Sequence, residues 1–213
     1  MADRPALARS PVAPSGPTRM MAGWEVTAGR SPAALTLSDR SPLATVVVRA
    51  GGSATARALG VLPGRAARLD DGTLAAGCGP GEWTVLGDPG TGPALAERWG
   101  TRVDGPDRDA GLTTAVDLSS ARALMRLTGA RADQLLAKVC AIDLDDRVTP
   151  NGSAFRSSVA KVVTDVIRDD QAGSRSYLLH CDRSYGQYLF DALLDAGSEF
   201  GIEVDGFPED GTW

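Results

Sequence analysis

The chain has 213 residues, 43% hydrophobic and 23% charged, the composition of an ordinary soluble globular protein with length for one generous domain or two small ones. Its formal net charge of −5 lacks the basic excess of a nucleic-acid binder, and no apolar run approaches the ~18 residues of a membrane-spanning helix. Cys78, Cys140 and Cys181 show no CxxC or CxH spacing, so zinc and iron–sulfur sites lack support and a reducing cytoplasm is expected.

Residues 1–22 hold four prolines among small residues and arginines, which predicts a flexible arm. Its start lacks the apolar stretch of a secretory signal and is similar to a transit peptide only in its Arg-rich composition. The arm extends to about residue 40, irregular except for strand-like "AALTL" at 33–37. An organised domain is expected over 41–201, in halves of about 43–110 and 113–201, with an acidic surface tail over 202–213.

The first half opens with the β-branched run "LATVVVRA" (43–50), a predicted strand ended by "GGS". Ser53 can cap a short helix whose apolar positions Thr55, Ala58, Leu59 and Leu62 keep i, i+3, i+4, i+7 spacing. "RAARLDDGTLAAGCG" reads as a hairpin turning at "DDG", "EWTVLG" as a strand, and "GPALAERWG" as a helix with Pro93 in its first turn. The order is β-α-β-β-α.

The second half repeats it. In "SARALMRLTG", Ala121, Ala123, Met125 and Leu127 alternate with Arg122, Leu124, Arg126 and Thr128, as in a half-buried strand. A helix over 131–140 presents Ala132, Leu135, Leu136 and Val139 on one face. "AFRSSVAKVVTDVIRDD" and "SRSYLLHCD" read as two strands joined at "DDQAGS", and the last helix, about 184–198, carries Leu189, Ala192, Leu193 and Ala196 on one stripe. Two β-α-β-β-α passes predict an α+β fold of two ferredoxin-like split β-α-β units, antiparallel sheets with helices on one face.

Catalytic patterns are sparse. "GCGPGEWTVLG" (77–87) is glycine-rich, yet a strand follows instead of the helix N-terminus that a phosphate needs, so it reads as a turn. His180, the one histidine, sits in "YLLHCD" on a face with Leu178 and Asp182; without a nucleophile elbow it reads as a core imidazole. Asp165 is a lone strand carboxylate that can meet a cationic or amidine-like group such as a pterin edge, or simply lie at a strand edge. Asp117, Asp143, Asp145 and Asp146 lack the calcium-loop spacing, and Asp117 fits a turn cap. Arg122 and Arg126 share a strand face suited to an acidic partner. Trp83, Arg122, Arg126, Arg183 and Tyr185 are the candidate interface residues, since Trp, Tyr and Arg are enriched at protein interfaces; core filling is the alternative for the aromatics. No catalytic, cofactor-binding or metal residue is assigned to this chain.

In order, "RSPLA" (40–44), "CGPGEWTVL" (78–86), "VDLSSARALMRLTG" (116–129), "LLAKVCAIDL" (135–144) and "DRSYGQYLFDALLDAGSEF" (182–200) give the chain its resemblance. Over about residues 40–201 it resembles the gamma subunit of heterotetrameric sarcosine oxidase, a relative of the folate-binding domain of glycine-cleavage aminomethyltransferases. The resemblance implies a cytoplasmic assembly with alpha, beta and delta partners that oxidatively demethylates sarcosine or a related N-methyl amine. The products it implies are glycine, hydrogen peroxide and formaldehyde or 5,10-methylenetetrahydrofolate. FAD, FMN, NAD, tetrahydrofolate and zinc are implied in the partners and none in this chain, whose expected role is structural. "DDRVTPNGSAFRSS" and the charged "VAKVVTDVIRDD" depart from the family's pattern, which leaves a sister enzyme for another amine open. The alternative is a stand-alone folate-binding one-carbon protein of the aminomethyltransferase family; the K-G-C-Y-x-G-Q signature of its iron–sulfur-maintenance branch is absent.

Overall fold

Prolines and small residues do not keep the N-terminal segment out of the fold. The structure, a computed structural model, describes residues 8–50, 59–103 and 113–209. Within them β1 (Ala8–Arg9), β2 (Thr18–Met21) and β3 (Trp24–Thr27) form a small three-stranded sheet. The expectation of a flexible arm is therefore corrected for residues 8–40. Its few apolar side chains fall where they can be buried: Trp24 and Val26 alternate with the outward Glu25 and Thr27, and both join the core. The next strand, β4 (Leu35–Asp39), is a full member of a main sheet.

Two larger sheets follow. One takes β5 (Ala44–Arg49), β6 (Ala66–Arg68), β7 (Leu74–Gly79), β8 (Glu82–Gly87) and β9 (Thr114–Asp117), in the order β6-β7-β8-β5-β9. The other takes β10 (Arg122–Gly129), β11 (Ala154–Val159), β12 (Val162–Arg168), β13 (Ser176–Asp182) and β14 (Glu203–Asp205), in the order β11-β12-β13-β10-β4-β14. All pairings in these sheets are antiparallel except β14 with β4. The α+β expectation holds. Helix α1 (Gly92–Val103) covers the first sheet through Leu95 and Trp99, while α2 (Ala132–Val139) and α3 (Gly186–Gly197) cover the second through Leu135, Leu136, Leu189 and Leu193. The helix expected after Ser53 falls largely on residues 51–58, outside the described ones.

The sheets pack face to face, so the layers run helix, sheet, sheet, helices. Leu74, Ala76 and Leu86 of the first meet Leu124, Ile167 and Leu178 of the second, with Trp24 and Phe207 in the same cluster. This corrects the expected half-buried β10. Its residues Ala123 to Leu127 are all buried, the odd positions under the helices and Leu124 between the sheets. The expected surface tail also differs: β14 adds a strand, Phe207 N–H donates to the Thr27 carbonyl at 3.0 Å, and the Phe207 ring is buried.

The two halves exchange their leading strands. β4 precedes β5 but pairs with β10, and β9 precedes β10 but pairs with β5. Each crossover carries Asp-x-Ser. Asp39 accepts from the Ser41 N–H at 2.9 Å, and Asp117 accepts from the Ser119 N–H at 2.9 Å, both tight local turns. Each serine then bonds the first strand of the opposite half: Ser41 Oγ accepts from Leu124 N–H at 3.1 Å, and Ser119 Oγ from Thr45 N–H at 2.9 Å.

One hairpin escapes the sequence reading. "AFRSSVAKVVTDVIR" is two strands, β11 and β12, joined at Ala160 and Lys161 with φ of 47° and 70°. Left-handed backbone costs a non-glycine residue about 1–2 kcal/mol, and neither residue announces a turn. Lys161→Gly is expected to stabilise the protein by about 0.5–1 kcal/mol in urea unfolding, with the native fold retained; a loss of stability would show that the Lys161 side chain contributes more than its backbone costs.

Candidate functional site

Sheet register, extended by one bond between the sheets, assembles a charged ladder. Arg49 faces Glu82 across β5 and β8, Arg156 faces Asp165 across β11 and β12, and Asp165 faces His180 across β12 and β13. Arg49 Nε donates to Glu82 Oε2 at 2.7 Å, and Arg156 Nη2 crosses between the sheets to Glu82 Oε1 at 2.5 Å. Arg156 also clamps Asp165 with two bonds, Nε to Oδ1 at 2.6 Å and Nη2 to Oδ2 at 3.0 Å. His180 Nδ1 lies 3.4 Å from Asp165 Oδ2, and its buried Nε2 meets no hydrogen-bond partner.

The electrostatics follow from this arrangement. Burial works to raise the Asp165 pKa, but hydrogen bonds from His180 and Arg156 and the charges behind them outweigh it and hold the carboxyl below its usual range. Glu82 behaves in the same way, with burial opposed by Arg156 and Arg49. Burial, with Asp165 close by, pushes the Cys78 thiol well above its ordinary range, so it is no ready nucleophile. The ladder contains no nucleophile bonded to His180 and no free carboxylate. Among the described residues no group of three or more His, Cys, Asp or Glu is arranged to hold a metal ion. Both Asp165 carboxylate oxygens already accept from Arg156, so a pterin-like group there would compete with that clamp.

Other expected residues are placed plainly. Trp83 is 1% exposed, and its Nε1–H donates to the Val61 carbonyl at 2.9 Å; it fills the core and is no surface anchor, a correction. Arg126 is also corrected to the interior, 4% exposed, where it donates to Ser176 Oγ at 2.7 Å and to Asp169 Oδ2 at 2.7 Å. Arg122, Arg183 and Tyr185 lie together at one end of β10 and β13. Arg122 pairs with Asp182, Arg183 donates to the Arg9 carbonyl, and Tyr185 is 51% exposed. The glycine-rich segment is the β7–β8 hairpin, with Gly81 at φ +67° and a Cβ on Gly77 meeting the Leu62 carbonyl oxygen at 2.9 Å.

Sequence reasoning found Asp165 and His180 but missed Arg156, Glu82 and Arg49. A signal existed. With a two-residue turn at Ala160 and Lys161, strand pairing places Arg156 opposite Asp165.

Paired antiparallel sheets with exchanged strands and outer helices define an α+β protein. Residues 98–208 match the GCVT N-terminal domain, just over half of the chain, and this chain belongs to that family. No curated protein matches its sequence. Among solved structures, a chain of heterotetrameric sarcosine oxidase from Corynebacterium sp. U-96, in complex with pyrrole 2-carboxylate, is similar at 25% identity and a TM-score of 0.66. That match covers 83% of this chain and 89% of the other. Aminomethyltransferase T of the glycine cleavage system from Bartonella henselae shares the fold at 16% identity and a TM-score of 0.69, covering 94% of this chain but 60% of that one.

Asp165→Asn is expected to cost about 2–3 kcal/mol at pH 7, at or below the ~3–5 kcal/mol of breaking a fully buried pair, because Arg156 is partly exposed and can hydrate. The folded-state pKa lies below the unfolded one, so this contribution is complete above the ordinary carboxylate range and is lost as pH falls through the folded value. Urea unfolding at pH 7 and at about pH 3 checks it: the gap between wild type and variant should shrink at the lower pH.

Proposed function

We propose that this chain is a non-catalytic, gamma-type subunit of a sarcosine-oxidase-like assembly. The observation that carries the reading is the likeness to the sarcosine oxidase chain, which is matched over 89% of its length at 25% identity, against 16% identity to aminomethyltransferase T. The self-neutralised ladder, with its clamped Asp165, supports a scaffold over an active site. In this reading alpha, beta and delta partners carry FAD, FMN, NAD, tetrahydrofolate and zinc, and the complex works in the cytoplasm. It oxidises sarcosine or a related N-methyl amine to glycine and hydrogen peroxide, with formaldehyde or 5,10-methylenetetrahydrofolate as the one-carbon product. Arg122, Arg183 and Tyr185 offer a surface for a partner. No helix among the described residues is long and apolar enough to cross a membrane.

The family match favours a second reading, a stand-alone folate-binding one-carbon protein. Expression of the chain alone and beside its neighbouring reading frames separates the two. The expected outcome is a colourless, inactive chain alone and a yellow complex with amine-dependent peroxide production on co-expression. A stable monomer that ignores its neighbours and binds tetrahydrofolate, with binding abolished by Asp165→Ala, would overturn the subunit reading.

A further inference from the structure

Toward the β4–β14 edge of the second sheet, where the ladder's β11 and β12 form the other edge, lies a cavity of about 150 Å³. Arg30, Arg40 and Arg126 line it together with Thr36, Ser38 and Asp205. Arg40 and Arg126 are each 4% exposed, and Arg40 Nε and Nη1 and Arg126 Nε are buried with no hydrogen-bond partner. Arg126 at least has its ion pair with Asp169. The Asp205 carboxylate is held by Arg30 Nε at 3.2 Å and by the Ser31 N–H at 2.9 Å; it and Asp39 act on Arg40 through space without a hydrogen bond, and the guanidinium lies 5.2 Å from the centre of the Phe207 ring. A buried, hydrogen-bond-starved guanidinium is costly, so its retention calls for a counter-charge.

The fold itself does not require this arginine. The second crossover makes the same Asp-x-Ser turn with Leu118 where the first has Arg40. We propose that the cavity between Arg40 and Arg126 is a binding site for a small oxyanion, a short-chain carboxylate or inorganic phosphate. Its volume is about five times a water's share of the liquid, enough for a carboxylate of a few carbons and too small for a nucleotide. The Arg40 and Arg126 guanidiniums supply positive charge beside the cavity, Ser38 and Thr36 supply polar walls, and the exposed Arg30 stands at the rim. Burial, reinforced by the like charges of Arg126 and Arg30 and only partly opposed by Asp205 and Asp39, pushes the Arg40 pKa down to about 9, the direction that a bound anion would reverse.

The full chain, in whichever form purifies, alone or with partners, is exchanged into chloride buffer. It is then titrated with sodium acetate and, separately, potassium phosphate at constant ionic strength, read by calorimetry and by thermal unfolding. One saturable site per chain is expected, with the unfolding midpoint raised as it fills. A response to acetate alone assigns a carboxylate, and a response to phosphate alone assigns phosphate. Arg40→Met is expected to weaken binding at least about tenfold while leaving the anion-free protein as stable as wild type or more so. Thr36→Met, which fills the cavity and spares both guanidiniums, is expected to weaken binding as well. A wild-type protein that responds to neither ion beyond chloride, or an Arg40→Met protein that binds as tightly as wild type, would overturn the assignment.

Discussion

A chain that begins each half in the sheet of the other cannot part those halves without unpairing β4 from β10 and β9 from β5. The hydrogen bonds at the crossovers keep this exchange in register, because Ser41 and Ser119 each tie an Asp-stabilised turn to the opposite half's first strand. One residue of slip would send every side chain of a strand to its other face. The face-to-face packing of the sheets, and all that lies between them, rests on these two turns.

That packing explains why charge occurs in the interior at all. Arg156, Asp165, Glu82 and His180 point into the inter-sheet layer because register leaves them no other face. There, desolvation is offset only by close, multiple hydrogen bonds, and Arg156 supplies three of them. The pair is no argument for high stability, since apolar residues of similar volume often do as well. It does make the sheets sensitive to losing either partner alone.

Much of this was legible in the sequence. β5 followed from a β-branched run, β7 from the turn signal at "DDG", β8 and β13 from strand-like runs, α1 from Pro93 in its first turn, and α2 and α3 from helical spacing of Leu and Ala. The failures have particular causes. Ala160 and Lys161 carry no turn signature although their backbone is left-handed, so β11 and β12 read as one strand and the partner of Asp165 stayed hidden. Arg126 looks like a surface residue by alternation, which fails where both faces of a sheet are covered. In the N-terminal segment too few apolar residues stand out locally; Trp24 and Val26 are ordered by a surface that the rest of the chain provides.

Charge balance separates the two polar regions of the interior. In the ladder, two carboxylates meet two arginines, every carboxylate oxygen that faces Arg156 is bonded, and neither Asp165 nor Glu82 is driven toward the neutral form that acid catalysis needs. Chemistry there would require dismantling the contacts that join the sheets. At Arg40 the balance runs the other way: Asp169 is taken by Arg126 and Arg68, Asp205 is bonded by Arg30, and the charges of Asp205 and Asp39 do not offset the burial of the Arg40 guanidinium beside the cavity. A scaffold needs the first arrangement. The second is not needed for the turn itself, since Leu118 stands at the matching place in the other crossover, and so it is at Arg40 and not in the ladder that the interior has charge to offer a ligand.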